Sequence, residues 1–180
     1  EGVRLGIAAT AIDSGYQTQE VYKFCKPRIN SRVWAVKGRD GMGKPIMGRP
    51  HRKTRNKVPL YPVGVDAAKT ALYQRLQIEE TGPGYCHFPA REPYDEEYFR
   101  QLTSEKLVRG ETRTGQPKYK WKRKPNRRAE ALDCRVYALA AMEGLQAAGV
   151  RLEQLDQEIK EGGTTERRRR GRVRSEGVEA

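Results

Sequence analysis

Apolar residues in this chain occur in short runs that alternate with polar or glycine-rich segments, and the first run is the most informative. Residues 5–12 form an apolar, β-capable stretch that ends at Asp13 and is broken by Ser14 and Gly15. This pattern predicts a buried strand that delivers Asp13 to the edge of a sheet. A carboxylate in such a place is unfavourable unless a positive charge compensates it.

Three later segments also predict strands. Residues 20–25 and 32–37 follow the first strand after short gaps, and this spacing favours an antiparallel meander. Residues 61–66 predict a fourth strand, which ends in Asp66 and continues directly into a segment with an apolar helical face. Between the third and fourth strands, residues 37–59 are rich in glycine, proline and basic residues and predict a loop.

A β-hairpin is predicted in the second half of the chain. Residues 105–109 and 118–124 flank the turn sequence Thr114-Gly-Gln-Pro, which is a hairpin signal. Asp95 opens a helix before this hairpin, and residues 85–88 predict a short strand before that helix.

The segment after the hairpin predicts helices and then a tail. Asn126 can cap a long helix whose apolar face carries Leu132, Val136 and Leu139. Residues 151–180 predict a polar helix followed by a disordered, arginine-rich tail, because that tail has almost no apolar surface to bury. Residues 1–150 are therefore expected to form one folded domain.

The charge balance indicates a polyanionic partner. Among 180 residues, 36 Lys and Arg stand against 23 Asp and Glu, which gives a formal net charge of +13. Nucleic acid is the first candidate for such a partner. No apolar run is long enough to cross a membrane and no signal peptide is recognisable, so we expect a soluble, intracellular protein without membrane contact.

Three acidic residues in apolar settings are candidates for a divalent-metal site. Asp13 could instead be a turn residue, because Asp-Ser-Gly favours a turn by itself. Asp66 could instead cap the helix that follows it. Asp133 interrupts an apolar helical pattern in what we expect to be the middle of a helix. A carboxylate there neither caps the helix nor interacts favourably with the helix dipole. Glu130, one turn earlier, could be a fourth ligand or an ion-pair partner.

Carboxylates from two strand ends and one helix can converge on hard cations. Mg²⁺ and Mn²⁺ take oxygen ligands, and phosphodiester hydrolysis uses two such ions about 4 Å apart to activate water and stabilise the leaving oxygen. Asp13, Asp66 and Asp133 therefore suggest a hydrolytic metal site.

The basic residues have a nucleic-acid interpretation and a simpler one. Four lysines recur at every second position of the second hairpin strand, so they share one face. They could bind phosphates, or they could protect a solvated sheet edge. Two arginines precede a helix N-terminus, where the dipole disfavours cations unless a phosphate is bound. The candidate nucleic-acid contacts are Lys37, Arg52, Lys53, Arg55, Lys69, Lys118, Lys120, Lys122, Lys124, Arg127 and Arg128.

Five segments resemble one protein family, in the same order along the chain. They are residues 11–25, 61–69, 82–89, 98–105 and 128–141. Together they closely resemble the C-terminal nuclease half of the lambda-like large terminase subunits of tailed bacteriophages, over about residues 1–150.

The resemblance implies a fold and an activity. The implied fold is an α/β, ribonuclease H-like domain with a central mixed β-sheet flanked by helices and a basic β-hairpin. The implied activity is Mg²⁺- or Mn²⁺-dependent cutting of concatemeric double-stranded DNA during genome packaging, at a two-metal site. Asp13, Asp66 and Asp133 fall on the acidic positions of that family.

The resemblance also implies partners. These are double-stranded DNA, an ATPase domain upstream of this segment, the portal and the small terminase subunit, in the cytoplasm of the host cell. The isolated domain is expected to be monomeric. Two alternatives stay open: a Holliday-junction resolvase or integrase-like nuclease of the same fold, and a non-catalytic basic module whose acids only cap helices and form turns.

Overall fold

The computed structural model describes residues 6–50, 54 and 57–160 of the chain. This part contains five β-strands, five α-helices and one 3-10 helix. Residues 161–180, where the disordered tail is predicted, lie outside the described ranges. In chain order the elements are β1 (Thr10–Asp13), α1 (Thr18–Cys25), the 3-10 helix (Lys26–Ser31), β2 (Val33–Arg39), β3 (Leu60–Gly64), α2 (Val65–Arg75), α3 (Glu96–Leu102), β4 (Glu105–Glu111), β5 (Pro117–Arg123), α4 (Glu130–Ala147) and α5 (Leu152–Lys160).

The central sheet has three parallel strands in the order β1-β2-β3. The predicted antiparallel meander and the predicted mixed sheet are therefore wrong for the described strands, whereas the α/β class is confirmed. Among the described residues, antiparallel pairing with this sheet is limited to an isolated bridge between Met47 and Val63. The parallel arrangement is possible because α1 and the 3-10 helix form the crossover that two parallel strands require.

Residues 20–25 belong to α1 and do not form the predicted strand. Their apolar positions include Val21, Tyr22 and Cys25, a spacing that also fits one face of a helix. Tyr22 and Cys25 are buried and pack with Ala35 of β2, so this face covers one side of the sheet. The alternation in the sequence is compatible with both elements, and packing on β2 selects the helix.

The two faces of the sheet are covered by different helices. Along β2, Trp34 and Val36 belong to the main core with Leu72 of α2 and Leu139 of α4, whereas Ala35 faces α1. This alternation along the strand produces a helix–sheet–helix arrangement. The predicted apolar face of α4 is confirmed by the burial of Leu132, Val136 and Leu139. No helix in the described ranges is both long enough and apolar enough to cross a membrane.

The predicted hairpin is confirmed as β4 and β5, which pair antiparallel from Glu105↔Arg123 to Glu111↔Pro117. Its base is held against the helices. The rings of Trp121 and Tyr73 lie 4.6 Å apart, and the Lys124 backbone N–H donates to the Ser104 carbonyl at 2.8 Å.

Residues 85–88, predicted to be a short strand, are not part of any strand. Phe88 instead packs against an aromatic group next to and within α3. Its ring centroid lies 5.1 Å from that of Phe99 and 6.1 Å from those of Tyr94 and Tyr98. Ring packing on a helix therefore accounts for the apolar character that suggested a strand.

Gly144 allows α4 to approach the sheet closely. A Cβ at this position would lie 2.6 Å from Cζ3 of Trp34. We expect Gly144→Ala to destabilise the protein by about 1–3 kcal/mol through overpacking, although Ala has the better helix propensity by about 1 kcal/mol. Urea unfolding measures the difference. Gly82→Ala is the control, because a Cβ there meets no atom within 4 Å, and a stabilised Gly144→Ala variant would contradict this close approach.

Candidate functional site

Two of the three candidate aspartates lie at the carboxyl edge of the parallel sheet. Asp13 is the last residue of β1, and Asp66 lies in the first turn of α2, directly after β3. Because β1 and β3 are parallel and flank β2, these acids lie on either side of the central strand at the same edge.

Asp133 lies in the first turn of α4 and not, as predicted, in the middle of a helix. The helix begins later than expected: its N-cap is Ala129, and Asn126 lies in the preceding turn with φ 54°. Asn126 is therefore not the cap. A carboxylate in the first turn interacts favourably with the helix dipole, so the argument that Asp133 gains nothing from its helix is wrong.

Asp13 makes the contacts expected of a turn residue. The Gly15 backbone N–H donates to Oδ1 of Asp13 at 3.1 Å. The hydroxyl and the backbone N–H of Ser14 both donate to the Val36 carbonyl at 2.8 Å, which fixes the end of β1 against β2. These bonds support the turn interpretation, but Asp13 has a further neighbour across the sheet edge.

That neighbour is Tyr137, which lies close to both Asp13 and Asp133. The Tyr137 hydroxyl lies in the field of both carboxylates and near enough to the Asp13 side chain to interact with it directly. Burial, followed by these two negative charges, raises the pKa of Tyr137 well above its ordinary value. Gly38 of β2 leaves room for the hydroxyl, since a Cβ there would lie 3.3 Å from it.

Asp13, Asp133 and Tyr137 line one cavity of about 770 Å³ between β1 and α4. Burial is the main reason that the pKa of Asp133 lies above its ordinary value. Among the nearby charges, Lys69 lowers this pKa and Glu105 raises it. The structure therefore brings Asp13 and Asp133 to one cavity, where the partly buried Asp133 carboxyl is less acidic than usual.

Asp66 lies in a different environment. It is only 5% exposed, and its Oδ2 accepts a hydrogen bond from the Gly41 backbone N–H at 2.8 Å. It is not the N-cap of α2, which is Gly64, so the capping interpretation is wrong. Asp66 lines a second cavity of about 540 Å³ together with Asp40, Gly41 and the outer part of β5.

The described residues contain no preformed metal cluster. Within residues 6–50, 54 and 57–160, no three Asp, Glu, His or Cys side chains are close enough to hold one ion. Asp13 and Asp133 share a cavity, whereas Asp66 lines a different cavity and accepts a hydrogen bond from Gly41. The assignment of all three as metal ligands stays a prediction.

Lys69, predicted to contact nucleic acid, is buried in an ion pair. Its Nζ lies 2.7 Å from Oε2 of Glu105, and the two side chains are 11% and 8% exposed. Glu105 is also fixed through its backbone, because its carbonyl accepts from the Tyr73 hydroxyl at 2.9 Å and its N–H donates to the same oxygen at 3.2 Å. In this arrangement the ammonium of Lys69 forms an ion pair with Glu105 and lowers the pKa of the nearby Asp133.

Glu130 lies at the start of α4 and lines the cavity that contains Asp13 and Asp133. It forms an ion pair with Arg128, whose Nε lies 3.3 Å from Oε2, so the ion-pair interpretation has a structural basis. The pKa of Glu130 is lowered, first by a hydrogen bond from its own backbone N–H and also by Arg128.

The basic face of the hairpin is more extensive than predicted. Lys118, Lys120 and Lys122 are exposed on one face of β5, and Lys106 of β4 lies directly opposite Lys122. Lys124 lies beyond β5 and donates to the Thr103 carbonyl at 2.8 Å. Like charges placed opposite each other are unfavourable without an anion.

Two of the other predicted basic contacts lie at separate places in the described part of the chain. Lys37 and Arg127 are exposed, on β2 and before α4 respectively. Arg52, Lys53 and Arg55 lie outside the described residues.

Three residues of this site were not predicted from the sequence: Lys106, Glu105 and Tyr137. Lys106 could have been found by pairing the two hairpin segments outwards from their turn. Tyr137 could have been found because it follows Asp133 by four residues, which places both on one helical face. Glu105 had no such signal, since its partner Lys69 lies 36 residues away.

Replacing Asp66 with Asn tests whether its charge or only its hydrogen bond is needed. An amide oxygen can still accept from Gly41, so we expect the free energy of unfolding to fall by less than about 1 kcal/mol. Cutting of DNA should fall by orders of magnitude if the carboxylate binds metal, because an amide supplies no charge. Plasmid cleavage and thermal unfolding measure the two effects.

Asp40→Asn is the matched control for this substitution, since Asp40 lines the same cavity but is exposed. An Asp66→Asn variant that cuts at the wild-type rate would leave Asp66 with a structural role only.

Comparison with known proteins identifies the family. Residues 1–156 match the family model described as terminase large subunit gpA, endonuclease domain. The chain is 36% identical over 147 residues to the terminase large subunit of Escherichia phage lambda, which covers 78% of this chain and 23% of that protein. It is 34% identical over 148 residues to the terminase large subunit of Enterobacteria phage P21, covering 79% and 23% respectively.

The chain thus spans about a quarter of the length of these relatives. No solved structure gives a significant match. The match to the family model nevertheless covers most of the chain, in agreement with the resemblance found in its motifs. The chain therefore belongs to the family of terminase large subunit gpA endonuclease domains.

Proposed function

We propose that this domain is a metal-dependent endonuclease that cuts concatemeric double-stranded viral DNA during genome packaging. The observation that carries the proposal is the pairing of Asp13 and Asp133 around Tyr137, in a cavity at the carboxyl edge of a parallel sheet. Ligand sites of α/β folds commonly lie at this edge. Membership of an endonuclease family supports the same conclusion.

The acids at this edge suit a hard divalent cation. They supply only oxygen donors, which Mg²⁺ and Mn²⁺ prefer. Asp133 is partly buried and lies in the field of Glu105, and both effects raise its pKa, so a cation beside it would compensate unfavourable negative charge. Asp13 and Asp133 are the proposed primary ligands.

Asp66 and Glu130 are the proposed additional ligands. If Asp66 contributes, either its side chain or the loop around Gly41 must shift, because no three acids in the described ranges lie close enough in this structure. When bound, the ions would activate the attacking water and stabilise the leaving oxygen of the phosphodiester.

The chain's own residues have distinct proposed roles. Tyr137 places its hydroxyl beside Asp13 and Asp133. Lys69 and Glu105 support the cavity as a buried ion pair. The lysine face of the hairpin holds the phosphate backbone of DNA and positions it without reading its sequence.

We also propose that the domain has a ribonuclease H-like fold and that it acts with further packaging proteins. The ribonuclease H-like assignment is supported by the placement of the three acids, with one at the end of the first strand, one directly after another strand and one on a late helix. The antiparallel meander is absent from the described residues, and the proposed chemistry does not depend on it. An upstream ATPase domain, the portal and the small subunit are proposed partners in the host cytoplasm.

Two lysines near the hairpin tip should contribute measurably to DNA affinity. We expect Lys118→Gln with Lys120→Gln to weaken duplex binding for all sequences alike. The slope of log K against log salt should fall by up to about 0.9 for each phosphate that the variant no longer neutralises. Fluorescence anisotropy over a salt series without divalent metal measures this slope.

The control for the hairpin variant removes two lysines from the opposite side of the sheet. Lys23 and Lys26 are exposed and lie on α1 and the 3-10 helix. Both variants remove the same net charge. Equal slopes for the two would show that only the overall charge matters and that the hairpin is a solvated edge.

Plasmid cleavage tests the proposed activity. We expect the chain to nick or cut plasmid DNA in Mn²⁺ or Mg²⁺ and to stop when a chelator is added. Linear duplex and a four-way junction are compared as substrates, and preference for the junction would favour a resolvase. Binding of DNA without cutting under any of these metal conditions would favour the non-catalytic module.

A further inference from the structure

A small cavity on the other side of α4 contains two arginines and no acid. It has a volume of about 180 Å³, and it lies between α2, α4 and Cys86, which precedes α3. Arg75 and Arg135 line it together with the Cys86 thiol, and its apolar floor is formed by Leu72, Leu139 and Met142. We call it the arginine cavity.

The arginine cavity adjoins the acidic cavity and shares Ala138 and Met142 with it, but the charged residues of the two cavities differ. Arg135 follows Asp133 by two residues on α4, which corresponds to about 200° around a helix with 3.6 residues per turn. The two side chains therefore leave the helix in nearly opposite directions. Asp13, Glu130 and Tyr137 line only the acidic cavity.

The positive charge of the arginine cavity has no acidic partner in the described part of the chain. Both arginines are half-buried, and neither forms an ion pair with a described residue. Arg135 lies over the ring of Phe88, with 5.5 Å between its Cζ and the ring centroid. The ring orients the guanidinium but carries no net charge. Two partly desolvated cations facing one cavity are unfavourable unless an anion joins them.

We propose that the arginine cavity binds a single phosphate group. Guanidinium groups bind phosphate oxygens through paired N–H donors, and two of them can embrace one tetrahedral anion. The cavity, at about 180 Å³, is smaller than the roughly 300–1,000 Å³ of sites for drug-sized ligands, and this size is compatible with one phosphate group. The group could come from the DNA backbone or from free phosphate, and the proposal does not rest on the nuclease activity.

Thermal unfolding with inorganic phosphate tests the proposal. At constant ionic strength set with chloride, we expect a saturable rise in Tm, of about 3–6 °C at ten times the Kd. Arg75→Gln and Arg135→Gln should each abolish the saturable part, whereas Arg91→Gln, at an exposed position outside the cavity, should keep it. A linear rise that is equal in all four proteins would overturn the proposal.

Alkylation of Cys86 gives a second readout in the unmodified chain. Cys86 lines the arginine cavity, and the exposed Cys134 lines the acidic cavity, so each molecule carries its own control. Phosphate at ten times its Kd should slow the reaction of Cys86 with N-ethylmaleimide about tenfold and leave Cys134 unchanged. Peptide mass spectrometry measures the alkylation rate of each thiol. Unchanged rates at both thiols would also overturn the proposal.

A further experiment distinguishes the DNA backbone from free phosphate as the source of the bound group. If the DNA backbone occupies the cavity, a metal-free duplex protects Cys86, and each arginine variant lowers the salt slope of DNA binding by about 0.9. If free phosphate is the ligand, phosphate protects Cys86 and the duplex does not. None of these measurements uses cleavage, so failure of this proposal is distinguishable from failure of the nuclease function.

Discussion

Asp133→Asn should abolish cutting of DNA and leave the metal-free domain at least as stable as the wild type. The loss of cutting follows because an amide cannot replace the charge of a metal ligand, and we expect a decrease of orders of magnitude. Stability should not fall, because the substitution removes a carboxylate whose charge is disfavoured by burial and by Glu105. Addition of Mn²⁺ should raise the Tm of the wild type and not that of the variant.

The difference in stability between the wild type and Asp133→Asn should depend on pH in a defined direction. Because the pKa of Asp133 is raised in the folded state, that state binds more protons than the unfolded state between the two pKa values. The stability of the wild type therefore falls as pH rises through the folded pKa. The advantage of the Asn variant should be absent below about pH 3.9, grow above it and level off beyond the folded pKa.

Thermal unfolding from acid to neutral pH measures this profile. Glu143→Gln, on the same helix but outside the acidic cavity, is the matched control. An Asp133→Asn variant that still cuts, or one whose Tm rises with Mn²⁺ as in the wild type, would show that Asp133 is not a ligand.

Breaking the Lys69–Glu105 pair should have the largest effect on stability. Both side chains are nearly buried, so Lys69→Met leaves the Glu105 carboxylate without its partner, and Glu105→Gln leaves the Lys69 ammonium with only the nearby Asp133. We expect each single change to destabilise the protein by about 3–5 kcal/mol. The double variant should be destabilised by clearly less than the sum of the two effects, because neither member of the pair then remains as a buried charge without the other.

An exposed ion pair of similar length serves as the control for this double-mutant cycle. Arg100 and Glu96 lie 2.8 Å apart on α3, with side chains 53% and 82% exposed. Disrupting that pair should change stability by only about 0.5 kcal/mol or less. If Lys69→Met left stability unchanged but lowered the salt slope of DNA binding, Lys69 would be a DNA contact and the structural role would be wrong.

Local patterns were enough to predict several elements of the fold. The hairpin follows from two β-capable segments around a Gly-containing turn, and the helix after β3 follows from its apolar face. The burial of Leu132, Val136 and Leu139 follows from their spacing on α4. Each of these signals is contained within a short stretch of neighbouring residues.

The wrong structural predictions concern features that are determined by contacts between distant parts of the chain. Residues 20–25 fit both a strand and a helix, and contact with Ala35 selects the helix. The direction of the strands depends on that choice, because the helix supplies the crossover between β1 and β2. In the site, Asp66 is held by Gly41, which lies 25 residues earlier, and no local pattern contains that hydrogen bond.

The position of the metal is the most direct test of the proposed active site. Crystals grown or soaked with Mn²⁺ would locate the ion by its anomalous scattering. We expect manganese at about 2 Å from carboxylate oxygens of both Asp13 and Asp133, in the cavity that Tyr137 lines. We also expect this manganese to be absent from crystals of Asp133→Asn. Manganese bound only elsewhere, in crystals of a protein that cuts DNA with Mn²⁺, would contradict the account.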